Sequence, residues 1–261
     1  MRTVVRNTDS VRTISLIGKC EIAGANGFPR AGQERGDRVS APGRSDRPGE
    51  RQHIAIMAFL GEQGGDGGRV PGDQRCWATT KGAVGIRVIL RDGLPADSAD
   101  PGVTRAFAAA ARHGLPVNFL CWGHLDLGSA FVRRNPDTVI VIDHLGLLQP
   151  NKPPVPAEPW AELPKLLALA ACPNVRVKIS GACTMSHQPY PYGDIWDPVL
   201  KIIDGFGVDR CMWGTDWTRT IGMLTYEQAV APFRETTQLS ASDKAKLMGG
   251  TLEKVYNWHR W

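Results

Sequence analysis

The sequence has no long hydrophobic segment. Among its 261 residues, no apolar run approaches the roughly 18 residues that a transmembrane helix requires. The N-terminus also lacks the order of a secretion signal, in which a charged stretch precedes an apolar one. From these absences we expect a soluble, cytoplasmic protein that does not bind a membrane.

Cysteine pairs of the CxxC type are absent as well. The cysteines are spread along the chain, mostly in apolar stretches that are typical of strands or helices: Cys20, Cys76, Cys121, Cys172, Cys183 and Cys211. Closely spaced pairs would indicate a zinc cage, and a small secreted chain would indicate disulfides. We therefore predict buried free thiols.

The positive charge is concentrated at the N-terminal side. The formal net charge is +5, and residues 1–52 contain ten Lys and Arg but only six Asp and Glu. Arginines spaced among Gly and Pro can follow a phosphate backbone. However, no aromatic residue lies between Arg30 and Arg51 to stack on bases. We therefore expect no nucleic-acid partner and a small-molecule substrate instead.

The amino-acid composition of the chain changes near residue 82. Residues 24–51 contain six Gly and three Pro with few apolar side chains, so they cannot bury enough surface to offset the entropy of ordering. We predict loop or disorder there, flanked by candidate strands at 11–18 and 53–61. Residues 1–81 are thus an irregular N-terminal region, and residues 82–261 form the main part of a single domain.

From residue 82 onward, apolar strands alternate with amphipathic helices. The predicted strands are 82–90, 116–122, 139–143, 175–180 and 210–217, and a helical pattern follows each of them. This alternation is typical of a parallel sheet covered by helices. It predicts five βα units and an α/β fold. The apolar segment LLALAA at 166–171 fits either a helix covering the sheet or a homo-oligomer interface.

Ionisable side chains stand where two of these strands end. VIDHLG at 141–146 places Asp143 and His144 after an apolar run, and CMWGTDW at 211–217 places Asp216 after another. The carboxyl ends of parallel strands form the edge where α/β barrels carry their active sites. We therefore predict that these side chains share a site. Each also has a structural interpretation, since Asp216 could cap a turn and His144 could bond a backbone carbonyl.

Other candidates lie at the same edge or point toward it. His187 and Tyr190 belong to the loop SHQPYPYGD after the strand at 175–180, and we predict that they contact substrate. Packing of Tyr190 between prolines is the alternative. Lys178 alternates with apolar neighbours and could point into the barrel, where a salt bridge is its alternative role. For Arg87, a solvated position or a salt bridge is the structural interpretation.

Three motifs together resemble a known family. DHLG, PNVRVKISG and FGVDRCMWGTDW, followed by a closing pair of helices, resemble the C-terminal half of amidohydrolase-related proteins, which include 2-pyrone-4,6-dicarboxylate lactonase-like hydrolases. The resemblance covers residues 82–258. It implies a (β/α)₈ TIM barrel of amidohydrolase type in which these strands are the fourth to the eighth. Residues 1–81 are too short for three regular βα units of roughly 25–30 residues each, so that side is predicted to be irregular or incomplete.

The resemblance implies a reaction and residue roles. The reaction is hydrolysis of an ester or lactone of a small carboxylated metabolite, by water that Asp216 activates. His144 would polarise the carbonyl or bind a metal, and Arg87 would hold a substrate carboxylate. A base that accepts the proton of water and a second group that stabilises the oxyanion are what this chemistry needs.

The sequence departs from the family in its first strand. The family's His-x-His motif is absent, and His53 is the one histidine of the N-terminal region. The cofactor prediction is therefore either none or one divalent metal, zinc first, held by His144 and Asp216. A frame-shifted N-terminal region is one explanation and a divergent cap is another. The alternative functions are a metal-dependent decarboxylase of the same superfamily and an inactive or truncated barrel that serves as a binding module.

Overall fold

The strands form one sheet with a parallel main part. In this computed structural model, residues 12–18, 56–60, 83–90 and 97–257 are described. The strand order is β2-β1-β3-β4-β5-β6-β7, and β3 to β7 are parallel. The strands are β1 (Arg12–Gly18), β2 (Ile56–Leu60), β3 (Ala83–Ile89), β4 (Val117–Leu120), β5 (Ile140–Ile142), β6 (Val175–Ser180) and β7 (Cys211–Gly214). The predicted α/β fold of TIM-barrel type is confirmed.

The N-terminal side differs from a regular βα repeat. Strand β1 runs antiparallel to both of its neighbours, β2 and β3. Both N-terminal strands lie inside the segments that the sequence predicted, 11–18 and 53–61. The predicted loop at 24–51 and His53 lie outside the described residues.

Helices follow the parallel strands, and some of them begin at a capping side chain. They are α1 (Pro101–Arg112), α2 (Leu125–Arg134), α3 (Leu163–Ala168), α4 (Trp196–Phe206), α5 (Trp217–Thr220), α6 (Tyr226–Glu235), α7 (Ala241–Ala245) and α8 (Thr251–Val255). Helix α1 begins at Pro101, because the Asp100 side chain accepts the Val103 amide at 2.8 Å and Pro101 takes the first turn. Ser240 caps α7, because its hydroxyl accepts the Asp243 amide. Within the described residues, no helix is long and apolar enough to cross a membrane.

The two faces of the sheet differ in polarity. Outward side chains such as Val177 and Ile179 pack with the helices in the main hydrophobic core, in which Phe107 and Phe119 meet edge-on at 5.4 Å. Because side chains alternate along a strand, the residues between them face the opposite side. That side carries a small apolar cluster of Val84, Val141, Met212 and Tyr256. It also carries the polar side chains of the candidate site.

The described cysteines are free thiols, as predicted. Cys121, Cys183 and Cys211 are buried and Cys172 is half-buried. Burial raises the pKa of each of the three buried thiols to about 12.

This burial predicts a loss of stability in alkali. A thiol in the unfolded chain ionises near pH 8.5, whereas the buried thiols keep their protons until about pH 12. Their contribution is therefore complete below about pH 8.5 and declines as the pH rises toward 12, by up to about 1.4 kcal/mol per pH unit for each thiol. Urea unfolding at a series of pH values measures this slope. Cys211→Ala should reduce the slope, and an unchanged slope would contradict the assignment.

Candidate active site

Left-handed turns place His144 and Asp216 just beyond the strands that precede them. Strand β5 ends at Ile142, and the following 3₁₀ turn, Asp143–Gly146, contains His144 at φ 51° and Leu145 at φ 63°. Asp216 has φ 54° and precedes α5, two residues after β7, without a capping hydrogen bond from its side chain. The predicted strands at 139–143 and 210–217 are therefore too long at their carboxyl ends. The side chains still reach the carboxyl edge of the sheet.

His144 contacts three neighbouring side chains. Its Nδ1 lies 2.9 Å from the Ser180 hydroxyl oxygen and 3.4 Å from a carboxylate oxygen of Asp216. Its Nε2 lies 3.4 Å from an Arg87 guanidinium nitrogen, which can only donate. The Nε2 atom therefore accepts, and Nδ1 carries the proton of the neutral ring. Burial lowers the pKa of His144 more than Asp216 and Asp143 raise it, so the ring is neutral at pH 7.

Asp143 is a buried carboxylate between two cations. One carboxylate oxygen lies 2.9 Å from the Lys178 ammonium group. The other lies 2.8 Å from Arg87 Nε, and this second pair does not have hydrogen-bond geometry. Its side chain is 2% exposed. Burial by itself would raise the pKa of Asp143, but Lys178, Arg87 and His144 outweigh burial and lower it. Asp143 is therefore ionised and fixes the two cations beside the site.

Lys178 points to the inner face of the sheet. It forms a salt bridge there with Asp143, which is the alternative role that the sequence analysis named. Its ammonium group also donates to Asn118 Oδ1 at 2.6 Å, and the Tyr256 hydroxyl donates to the same oxygen. Burial lowers the pKa of Lys178, but Asp143 and Tyr256 outweigh it and the net shift is upward. Lys178 is therefore a fixed positive charge.

Arg219 binds Asp216 from the next turn of the chain. Its Nε donates to the Asp216 carboxylate, and its Nη2 donates to Gln149 Oε1 at 2.6 Å. The guanidinium carbon lies 5.9 Å from the centre of the Trp122 ring, which supports it by a cation–π contact.

The described side chains of the site carry a net positive charge. Among them, the cations Arg87, Lys178 and Arg219 face two carboxylates, Asp143 and Asp216, so one net positive charge remains when His144 is neutral. Such a site attracts an anionic substrate. It also contains a carboxylate that can accept a proton and cationic donors that can stabilise an oxyanion.

The sequence predictions for the site differ in outcome. The structure brings Arg87, His144 and Asp216 together. In contrast, His187 is exposed and its ring nitrogen lies 3.2 Å from the Ala157 carbonyl, while Tyr190 is 47% exposed and packs edge-on against Tyr192. These contacts do not involve Arg87, His144 or Asp216. Their contact with substrate stays a prediction.

Several contributing residues had no chemical role predicted from the sequence. Asp143 was placed at the strand end together with His144, but no role in the reaction was assigned to it. Asn118 is a lone polar residue in the apolar strand VNFL, which signals an inward position. Arg219 stands three residues after Asp216 within a helix, a spacing that brings two side chains together. We find no sequence signal for Tyr256.

The described residues do not fit a zinc ion on their own. Within residues 83–90 and 97–257, no group of three or more His, Cys, Asp or Glu could hold a metal. His144 and Asp216 are both bonded to arginine, and structural zinc takes four protein ligands and catalytic zinc three. We therefore derive no step through a metal.

Substitution of Gly181, which lies beside Arg219, should lower the stability of the protein measurably. Gly181 has φ 72°, and an added Cβ would lie 2.2 Å from Arg219 Nη2 and 2.4 Å from Gln149 Oε1. Gly114 has a similar φ of 63° but open space around it. We expect Gly114→Ala to cost about 1 kcal/mol from its backbone and Gly181→Ala about 3 kcal/mol, because the ends of the Arg219 and Gln149 side chains must also move and lose their hydrogen bond. Urea unfolding of both variants measures the difference, and equal losses would contradict the close contact.

The sequence of this chain matches a known protein family. The chain matches the amidohydrolase family over residues 51–258, and it belongs to that family. The family predicted from the three motifs is therefore confirmed. The match begins at residue 51, earlier than the resemblance that starts at residue 82.

Individual relatives are similar over part of the chain. An L-fucono-1,5-lactonase from Burkholderia ambifaria is 36% identical over 141 residues, which are 51% of this chain and 45% of that protein. The chain therefore matches less than half the length of that lactonase.

Solved structures share the fold. An amidohydrolase from Burkholderia multivorans with bound zinc has a TM-score of 0.56 and 24% identity, and the match covers 68% of this chain and 66% of that one. A proposed 2-pyrone-4,6-dicarboxylic acid hydrolase from Pseudomonas putida has a TM-score of 0.53 and 21% identity, covering 69% and 65%. At these identities the likeness supports the fold alone.

Proposed function

We propose that this protein hydrolyses the ester bond of a lactone in a small carboxylated metabolite. The observation that carries the proposal is the cluster of His144, Asp216 and Arg87 at the carboxyl edge of the sheet, with one net positive charge. The similarity to L-fucono-1,5-lactonase supports the choice of a lactone.

The geometry supports a role for each residue in this reaction. The Asp216 carboxylate accepts a proton from the attacking water, since it is the carboxylate beside His144 that is not buried between two cations. Arg87 polarises the carbonyl oxygen as negative charge develops on it, and His144 orients Arg87 by accepting a hydrogen bond from its guanidinium group. The bond between the carbonyl carbon and the ring oxygen then breaks, the ring oxygen takes the proton that Asp216 accepted from water, and the product is a hydroxy acid.

Arg87 also gives the site its preference for an anion in this proposal. Its side chain is 28% exposed, so part of the guanidinium is accessible to a ligand. A guanidinium group binds a carboxylate through two parallel hydrogen bonds. A lactone that carries a carboxylate should therefore bind better than its neutral counterpart.

The test measures acid release from paired lactones. We expect the protein to open a carboxylated lactone with a lower KM than the corresponding methyl ester. Arg87→Gln should raise the KM for the carboxylated lactone roughly 30-fold, which is about 2 kcal/mol, because one partner of the charge pair is lost. The KM for the neutral lactone should change by less than about threefold. An equal rise for both lactones would remove Arg87 as the carboxylate-binding residue. Absence of acid release from every lactone, or release of carbon dioxide instead, would contradict the proposed reaction.

A further inference from the structure

Arg219 is the most completely bonded cation of the site. Its Nε donates to the Asp216 carboxylate and its Nη1 to the Pro150 carbonyl at 2.5 Å. Its Nη2 donates to Gln149 Oε1 at 2.6 Å and lies 3.4 Å from the Thr184 hydroxyl. The side chain is 12% exposed. A guanidinium group with these partners has little capacity left for a substrate.

The partners of Arg219 come from three successive βα connections. Gln149 and Pro150 follow the turn after β5, Thr184 lies in the 3₁₀ turn after β6, and Asp216 follows β7. Arg219 therefore joins the three loops that carry the reacting groups.

Gln149 extends this connection to His144. Its amide nitrogen donates to the His144 carbonyl at 3.2 Å and to the Ser180 carbonyl at 2.9 Å. The Ser180 hydroxyl in turn lies against the His144 ring. Through Gln149, Arg219 thus fixes the distance between the backbone of His144 and the carboxylate of Asp216.

The two arginines of the site differ in availability. Arg87 is more exposed and its guanidinium has one long contact to His144 besides its ion pair with Asp143. Arg219 is enclosed by protein groups on several sides, and Gly181 approaches it so closely that no Cβ would fit between them. The chemistry of the two side chains is the same, but their surroundings assign them different roles.

We infer that Arg219 is a positioning residue: it holds the Asp216 carboxylate and the loop at 147–150 in register with His144, and it does not bind the substrate. The inference rests on the proposed function, because it assigns Asp216 as the base. A positioning residue acts on turnover more than on substrate affinity, since a displacement of the base by about 1 Å can cost roughly 100-fold in rate.

The test separates turnover from binding. Arg219→Ala should lower kcat roughly 100-fold and change KM less than about threefold, and added guanidinium ion should restore part of the lost kcat. Arg234→Ala is the matched control, because Arg234 pairs with Glu227 and Glu235 on the exposed side of α6. The control should keep the kcat of the parent. A raised KM with unchanged kcat in Arg219→Ala would make Arg219 a substrate ligand and overturn the inference.

A second variant and a structure complete the experiment. Arg219→Lys keeps the charge but not the planar fork, so its kcat should remain at least about tenfold below that of the parent. A kcat equal to that of the parent would overturn the inference. The crystal structure of this variant decides the question even if the parent opens no lactone, in which case only the proposed function fails. The Asp216 carboxylate and the 147–150 loop should be displaced, and unchanged positions would overturn the positioning role.

Discussion

Asp216→Asn is expected to lower lactone turnover roughly 1,000-fold, because an amide cannot accept the proton of the attacking water. The substitution keeps the shape of the side chain. It also suits the left-handed backbone at this position, φ 54°, which asparagine adopts as readily as aspartate. The loss should therefore appear in kcat without a loss of folded protein. Steady-state kinetics together with urea unfolding of the same preparation measures both.

The control for this variant is another ion-paired aspartate. Asp209 lies 3.0 Å from Lys246 on the surface, so Asp209→Asn removes a carboxylate from an ion pair outside the site. We expect its kcat to match that of the parent. If Asp216→Asn also matched the parent, Asp216 would have no part in the mechanism.

Asp143→Ala is expected to lower the free energy of unfolding by about 3–5 kcal/mol, because it leaves two cations near the protein interior without their carboxylate. Arg87 and Lys178 both pair with Asp143, whose side chain is almost fully buried. The loss should be large compared with that of an exposed pair. Asp197→Ala removes the partner of Lys201 on the surface of α4 and should cost less than about 1 kcal/mol. Urea unfolding of both variants gives the comparison.

A double variant tests the cause of this loss. In Asp143→Ala combined with Lys178→Met, one of the two unpaired cations is removed together with the carboxylate. The double variant should therefore be less destabilised than the sum of the two single variants, since partners in one network are coupled. Additive losses would show that Asp143 stabilises the protein by some other contact than its pair with Lys178.

The strands were predictable to the extent that apolar runs define them. Strand β6 matches the predicted range 175–180 at both ends, because Pro173 precedes it and Gly181 follows it. The ends of β5 and β7 were not predictable in the same way. His144 and Asp216 adopt left-handed backbone conformations that are uncommon for residues other than glycine, and the composition of the motifs does not reveal them.

The site was predictable only in part. His144 and Asp216 were found because they follow apolar strands, and Arg87 through the resemblance to the family. Their partners depend on which positions of neighbouring strands lie side by side, and the structure places Arg87 beside Asn118 and Lys178 beside Met212. Sequence patterns within one segment contain no information on that register. The residues before β3 lie mostly outside the described part of the chain, so predictions about them stay predictions.

Tyr256 is synthesised late, yet it takes part in the buried polar network around Asn118 and Lys178. Its hydroxyl donates to Asn118, which is 138 positions earlier in the chain and which also accepts from Lys178. The ribosome adds Tyr256 long after β4 and β6 have emerged, so a nascent chain holds Lys178 without this neighbour. Chains released before residue 256 would therefore contain all of the proposed reacting groups and still have an unfinished charge network. Stalled ribosome complexes of increasing length would show protease resistance of β6 rising when this tyrosine leaves the exit tunnel.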